Sequence, residues 1–438
     1  MNIIQITPGT GDSFYCDNCL RDAALVTAMR SLGHDVVMVP MYLPVSSDSN
    51  QPLDETPIFF GGINVYLQQK SKLFQKTPRW LDRLFDSPKL LTWLARKSKM
   101  TSSTELAETT LSMMRGEHGR QAKELNRLIK WLESQDNRPD IICLSNILLA
   151  GLSESLKKRL GTPIVCLLQD EDAFLDTMPP PYDKQIWDML KERANNIDAF
   201  IAVSKYYAEV MKQRLKLRPD KVHIVYMGIP LDGYKPLSAE RDVPIIGFLS
   251  RMCHDKGLDT LIDAFIKLKK NENLKNAKLR LAGGKTGADT EFINSIQKKL
   301  CSAGLIDDVQ FLSAFDRDTK IDFFQTLSLL SVPEKRPVAC ALYLLEAIAA
   351  GVPVVVPKSG VLPEILEITG GGILHEPNNT DALVEAIQSL LLDPKRARQL
   401  GKQGRDQVHQ KFNVKQTATE LIRIYKKITK EIREKNYA

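Results

Sequence analysis

Residues 248–257 read FLSRMCHDKG, and further along residues 344–353 read LLEAIAAGVP. The first segment sets Arg251 and Lys256 just after the apolar residues Ile245, Ile246, Phe248 and Leu249, where a helical pattern begins. Two cations beside the positive end of a helix suit a diphosphate. The second segment sets Glu346 in a helix of small residues that ends at Gly351-Val352-Pro353, before a strand-like run at 354–356. A carboxylate so placed can accept hydrogen bonds from vicinal hydroxyls such as those of a ribose. Taken singly, an Arg followed by a Lys is an ordinary solvated helix start, and a Glu on an Ala-rich helix is ordinarily exposed. Together, each behind a strand-like run, they read as a nucleotide site.

Working outward, short β-branched runs alternate with helical patterns. Strands are expected at 3–6, 36–39, 141–144, 164–168, 200–203 and 223–226, and again at 245–249, 279–282, 310–312, 329–332 and 354–356. Continuous apolar strands separated by helices imply parallel sheets covered on both faces. The expected fold is α/β, with two Rossmann-like, doubly wound domains. The first spans 1–232 with a helical insertion at about 68–138, the second spans 244–412, and the join lies in the proline-rich stretch 230–244. A terminal helix at 413–438, with Leu421, Ile424, Tyr425, Ile428 and Ile432 at helical spacing, is long enough to return to the first domain.

A chain of 438 residues suits two cores rather than one. Hydrophobic content of 43% with 26% charged residues is that of a water-soluble globular protein, and no apolar run approaches the length of a membrane-spanning helix. The opening MNIIQITPGTGD lacks a cationic region ahead of an apolar one and reads as a first strand, not a leader. Seven cysteines scattered along the chain argue for reduced thiols and a cytoplasmic setting. Cys16 and Cys19 form a CxxC without further ligands at zinc spacing, which favours two thiols lining a loop over redox chemistry. The net charge of +7 is uneven. Between Lys70 and Lys99, basic residues interleave with Phe74, Trp80, Phe85 and Trp93 and outnumber Asp82 and Asp86. Such a segment either packs as helices on its own domain or meets an anionic membrane surface or acceptor. No nucleic-acid recognition module is visible.

The two quoted segments resemble the donor site of retaining family 4 glycosyltransferases (glycosyl transferases group 1) of the GT-B fold. That resemblance implies two domains facing across a cleft and a sugar-nucleotide donor, with UDP- or GDP-sugars first in line. It further implies a carbohydrate or lipid-linked acceptor, anomeric retention, and no cofactor or metal. Arg251 and Lys256 then take the leaving phosphate, and Glu346, beside Leu345, takes the nucleotide. Ala314 and Phe315 stand where relatives hold the base. Gly360 and Glu364 stand in a turn similar to the family's GGxPE, with Val361 in place of its second glycine. Gly9, Thr10 and Gly11 resemble the family's N-terminal glycine loop, which allows close approach of backbone to ligand.

Elsewhere the chain departs from the family. Asn146 and Gln169 stand where relatives often carry histidines; both can hydrogen-bond sugar hydroxyls but neither exchanges protons near neutral pH. The three adjacent acids Asp170, Glu171 and Asp172 read first as a solvated loop, the second reading being that Asp170 or Glu171 orients an acceptor hydroxyl. Val338 replaces the first acid of the family's E-x7-E pattern, which usually contacts the donor sugar. Two further readings stay open at this point: a sugar-nucleotide-binding protein without catalysis, and a nucleotide-sugar epimerase on the same fold.

Overall fold

The computed structural model describes residues 1–9, 17–42, 59–60, 103–135, 137–236, 243–312 and 316–437. Thr10, Gly11, Cys16, the Cys19 side chain, Ala314, Phe315 and the basic-aromatic segment 70–99 lie outside the described residues. The chain divides into two compact units, 1–226 with 414–438, and 227–413.

The first unit runs β1 (Asn2–Thr7), α1 (Asp17–Ser31), β2 (Asp35–Pro40), α2 (Ser103–Met114), α3 (Ala122–Glu133), β3 (Ile141–Leu144), α4 (Ser153–Leu160), β4 (Ile164–Leu168), α5 (Glu171–Leu175), α6 (Tyr182–Arg193), β5 (Ala199–Ala202), α7 (Lys205–Leu215) and β6 (Val222–Ile224). Its strands pair in parallel in the order β2-β1-β3-β4-β5-β6. Ile3 lies opposite both Val36 and Ile141, which fixes the register of the central strands. Every residue of β3 and β4 is buried, as unbroken apolar strands require when helices cover both faces. Helix α3 shows the matching one-sided pattern, with Leu125, Leu128, Ile129 and Leu132 inward.

The second unit runs β7 (Ile245–Leu249), α8 (Leu258–Leu268), β8 (Lys278–Ala282), α9 (Thr290–Ser302), β9 (Val309–Leu312), α10 (Arg317–Gln325), β10 (Leu329–Ser331), α11 (Leu342–Ala349), β11 (Val354–Pro357), α12 (Leu362–Thr369), β12 (Gly372–His375), α13 (Thr380–Leu391) and α14 (Pro394–Lys411). The sheet is again parallel, in the order β12-β11-β10-β7-β8-β9. Helices α8, α9 and α13 share one core with Ile246, Phe248, Leu279, Leu281, Leu329 and Val355. Full burial of a side chain such as Phe248 or Phe265 contributes about 1.5–3 kcal/mol. Helix α15 (Val414–Tyr437) belongs to the first unit, where Tyr425 donates to Cys143 Sγ at 3.2 Å and Arg433 to Asp140 at 2.8 Å.

Two expectations change. Strand β12 was not among the expected strands; its pairing with β11, from Gly372 opposite Val354 to His375 opposite Pro357, makes it a strand. The change of unit falls at Met227 rather than within 230–244. Backbone carbonyls of the proline-rich stretch are held by the second unit: Arg317 donates to Pro230 and Asp232, Gln325 to Lys235, and Arg405 to Tyr234. Segment 230–235 is therefore part of that unit and not a spacer.

Candidate nucleotide site

In a parallel sheet all strands release their chain at one edge, and the loops leaving neighbouring strands meet there. In the second unit those neighbours are β11, β10, β7 and β8. Arg251 and Lys256 follow β7. Gly257, with φ +70°, closes the short turn before α8. A Cβ on Gly257 would lie 1.9 Å from the Pro333 carbonyl oxygen, so only glycine lets the loop after β7 touch the loop after β10. The two loops are also joined by Lys335 N–H donating to the Asp255 carbonyl at 3.0 Å.

Each expected cation has an acid beside it. Arg251 donates from Nε to Asp289 Oδ2 and from Nη2 to Asp289 Oδ1, both at 3.0 Å, and from Nη2 to Thr286 Oγ1 at 3.1 Å. Burial opposes ionisation of Asp289, but the hydrogen bonds from Arg251 and Thr286 outweigh it and hold the carboxyl below its ordinary value. The Lys256 ammonium lies 3.2 Å from Glu334 Oε1, whose side chain is 1% exposed. Burial pushes the Glu334 carboxyl up despite the lysine, and burial with Glu334 as neighbour pushes the Tyr343 hydroxyl well up. Lys335 in turn reaches Asp259 at 2.7 Å and His254 Nε2 at 2.8 Å. The pair of bare cations expected from the sequence is thus a row of charge pairs, placed by the loops after β10 and β8 that flank β7.

Glu346 stands in α11, beside the same sheet edge. Lys320 of α10 donates to its Oε1 at 2.5 Å, and both side chains are largely buried. Tyr234 also hydrogen-bonds Glu346, and burial first, then this carboxylate, drives the tyrosine hydroxyl well up. Leu345, expected beside the nucleotide, is 2% exposed on the buried side of α11. Glu364 lies in the first turn of α12. Gly360 has φ +58°, and a Cβ there would fall 2.5 Å from both the nitrogen and the oxygen of Val338. Val361 N–H donates to the Val338 carbonyl at 2.9 Å, and both valines are buried. Val338 and Val361, two of the positions that depart from the family pattern, are thus bonded to each other.

In the first unit Gly9 is buried with φ +70° directly after β1. Asn146 Oδ1 accepts from Leu148 N–H at 3.1 Å, capping the turn after β3. Gln169 donates through Nε2 to the Ser145 carbonyl, while its Oε1 is buried without a partner among the described residues. Glu171 lies in the acidic stretch read first as a solvated loop and second as a group orienting an acceptor hydroxyl. Instead it is 5% exposed and accepts from Ile147 N–H at 3.1 Å, Gln169 N–H at 2.6 Å and the Tyr207 hydroxyl at 2.9 Å. It ties the ends of β3 and β4 together, which corrects both that role and the solvated-loop reading. Asp170, between Gln169 and Glu171 in the chain, adopts a left-handed conformation, φ +80° and ψ +22°. Among the described residues no group of His, Cys, Asp and Glu is arranged to hold a metal ion, and no helix is long and apolar enough to cross a membrane.

Sequence reasoning missed Asp289, Lys320 and the pairing of Glu334 with Lys256. Their signal was available only as acids and a lysine near the predicted strand ends, a pattern shared by many solvated residues.

Comparisons with known proteins bear on both units. Residues 235–407 match the family model for glycosyl transferases group 1, and residues 108–232 match that for glycosyltransferase family 4. An uncharacterized glycosyltransferase of Methanocaldococcus jannaschii is 26% identical over 239 residues, covering 52% of this chain and 59% of that protein. An alpha-maltose-1-phosphate synthase of Mycolicibacterium smegmatis is 27% identical over 252 residues, covering 53% of this chain and 64% of that one. The chain thus matches less than two thirds of the length of these curated relatives. Among solved structures, a sucrose-phosphate synthase from Thermosynechococcus elongatus superposes with a TM-score of 0.70 at 19% identity, covering 98% of this chain and 99% of that one. Anabaena HepE in complex with UDP gives 0.68 at 15% identity, covering 98% and 100%. With two parallel six-stranded sheets and a glycosyltransferase model matched in each half, the chain has the fold of the GT-B glycosyltransferases and is similar to their group 1 and family 4 members.

Proposed function

We propose that this chain transfers a sugar from a nucleotide-diphosphate sugar, UDP- or GDP-linked, to a carbohydrate or lipid-linked acceptor, with retention at the anomeric carbon and without a divalent metal. The observation that carries the reading is the placement of Arg251 and Lys256 at the carboxyl end of β7, each held by an acid from a flanking loop. Breaking the bond between sugar and diphosphate loads negative charge onto the leaving β-phosphate. Donors fixed in advance stabilise that charge more in the transition state than in the ground state. Arg251 is half exposed, and its Nη1 makes no hydrogen bond among the described residues, so an edge of the guanidinium is open to a phosphate oxygen. Glu346, held by Lys320 and Tyr234, is a ready acceptor for ribose hydroxyls. The UDP and UDP-glucose complexes of Anabaena HepE support a nucleotide-sugar donor for this fold.

The test is turnover with UDP- and GDP-sugars. Arg251→Ala and Lys256→Ala should each lose at least tenfold, about 1.4 kcal/mol of transition-state stabilisation. EDTA should leave transfer intact. Parent rates in both variants would place the site elsewhere, and activity lost to EDTA and restored by manganese would refute the metal-free route.

A second reading has one observation in its favour. Val338, where relatives place an acid that contacts the donor sugar, is 5% exposed and bonded through its backbone to Val361. A chain that binds sugar nucleotides in calorimetry yet neither transfers nor hydrolyses the sugar would be a binding protein on this fold.

A further inference from the structure

We propose that Asp289 is a positioning residue for Arg251, an inference that rests on the nucleotide reading of this site. Arginine meets a carboxylate best edge-on, through two parallel N–H bonds that fix the plane of the guanidinium. Arg251 and Asp289 meet in this way, with Nε and Nη2 each 3.0 Å from a carboxylate oxygen. The arginine side chain is 51% exposed and the aspartate side chain 7%. The aspartate is therefore the fixed member and the arginine the one that needs fixing.

Asp289 is itself anchored. Its Oδ2 accepts from Thr286 N–H and from the Thr286 hydroxyl, both at 2.7 Å; the first of these, together with the Thr286 side chain accepting from Asp289 N–H, makes the capping box of the short turn leading into α9. The loop that carries it is fastened to the residues on either side of Arg251. Ser250 N–H donates to the Ala282 carbonyl at 3.2 Å, and Met252 N–H to the Gly284 carbonyl at 2.9 Å. The loop after β8 thus grips the loop after β7 by its backbone and holds the guanidinium by a carboxylate. What remains outward is the edge carrying Nη1. The pair is neutral as a whole, so its selectivity for a phosphate oxygen comes from a held hydrogen-bonding edge and not from excess charge.

The decisive substitution is Asp289→Asn. An amide oxygen in place of Oδ2 keeps the cap on Thr286, while an NH2 in place of Oδ1 faces Nη2 and breaks the fork. Binding of UDP and GDP, with uridine and guanosine as controls, is measured by calorimetry on the full chain. Asp289→Asn should weaken the nucleoside diphosphate at least tenfold, as Arg251→Ala does, and leave the nucleoside contribution and the melting temperature near wild type. The double variant should be no weaker than Arg251→Ala, because the two residues act as one unit. Equal diphosphate affinity in Asp289→Asn and wild type, or a double variant that loses the product of the two effects, overturns the proposal. If Asp289→Asn does not fold, Thr286→Val carries the test: it removes the hydroxyl shared by Arg251 and Asp289, and unchanged diphosphate affinity there overturns the proposal as well. A wild-type chain that binds neither UDP nor GDP would instead sink the nucleotide reading, and the role of Asp289 with it.

Discussion

Replacing Gly257 with alanine sets a Cβ 1.9 Å from the carbonyl oxygen of Pro333, where real contacts of this kind do not fall below 3.0 Å. The obstacle is backbone, so no side chain can turn aside, and the loops after β7 and β10 must part. Two costs combine. Holding a non-glycine residue at φ +70° costs about 1–2 kcal/mol, and forcing atoms into a filled space costs about 1–3 kcal/mol more. The total is about 2–5 kcal/mol, against an ordinary domain stability of about 5–15 kcal/mol. The damage also reaches the site, because Lys256 directly precedes the contact and its partner Glu334 directly follows Pro333. Gly304→Ala separates the two costs: Gly304 has φ +68° but nothing within 4 Å of its Cβ position, so it carries the backbone strain without the clash. Urea denaturation of both variants, paired with calorimetric titration of UDP and GDP, provides the readout. Gly257→Ala should lose more stability than Gly304→Ala by about 1–3 kcal/mol and should weaken diphosphate binding, which Gly304→Ala leaves unchanged. Equal losses in the two variants would show that the loops do not touch as described.

Two further outcomes follow from the charge pairs. Burial raises the Glu334 carboxyl in the folded chain above its ordinary 4.5, so the stability it contributes is complete below that pH and is lost as pH rises through the folded value. Glu334→Gln removes this titration, so the stability difference between variant and wild type should move in favour of the variant between pH 4 and pH 8, and a constant difference in urea denaturation across that window refutes the assignment. Lys320→Met should destabilise by about 3–5 kcal/mol because it strands the Glu346 carboxylate in a largely buried place, while Lys320→Met with Glu346→Leu should recover most of the loss; equal destabilisation of the single and double variants in urea would refute the pairing.

The alternation of apolar strands and helices was legible from the sequence because both signals are local. A strand buried on both faces, such as Ile164–Leu168, must be apolar at every position, and a covering helix such as α3 must be apolar on one side. The positions of Arg251, Lys256 and Glu346 were legible for the same reason, since each lies a fixed distance past a strand or before one. Strand order is not local, and the residues it brings together carry no mark in the chain. Only the order β10-β7-β8 sets Glu334 on one side of the β7 loop and Asp289 on the other, turning two expected cations into two charge pairs. The tie from Glu171 to the ends of β3 and β4, the lock of Lys320 on Glu346, and the strand at Gly372–His375 arise in the same way. Local composition determines which element a segment forms, because burial and backbone geometry act over a few residues. The partner of a buried charge is decided by which strands lie side by side, since a charge taken out of water must be matched by whatever group the fold places within reach.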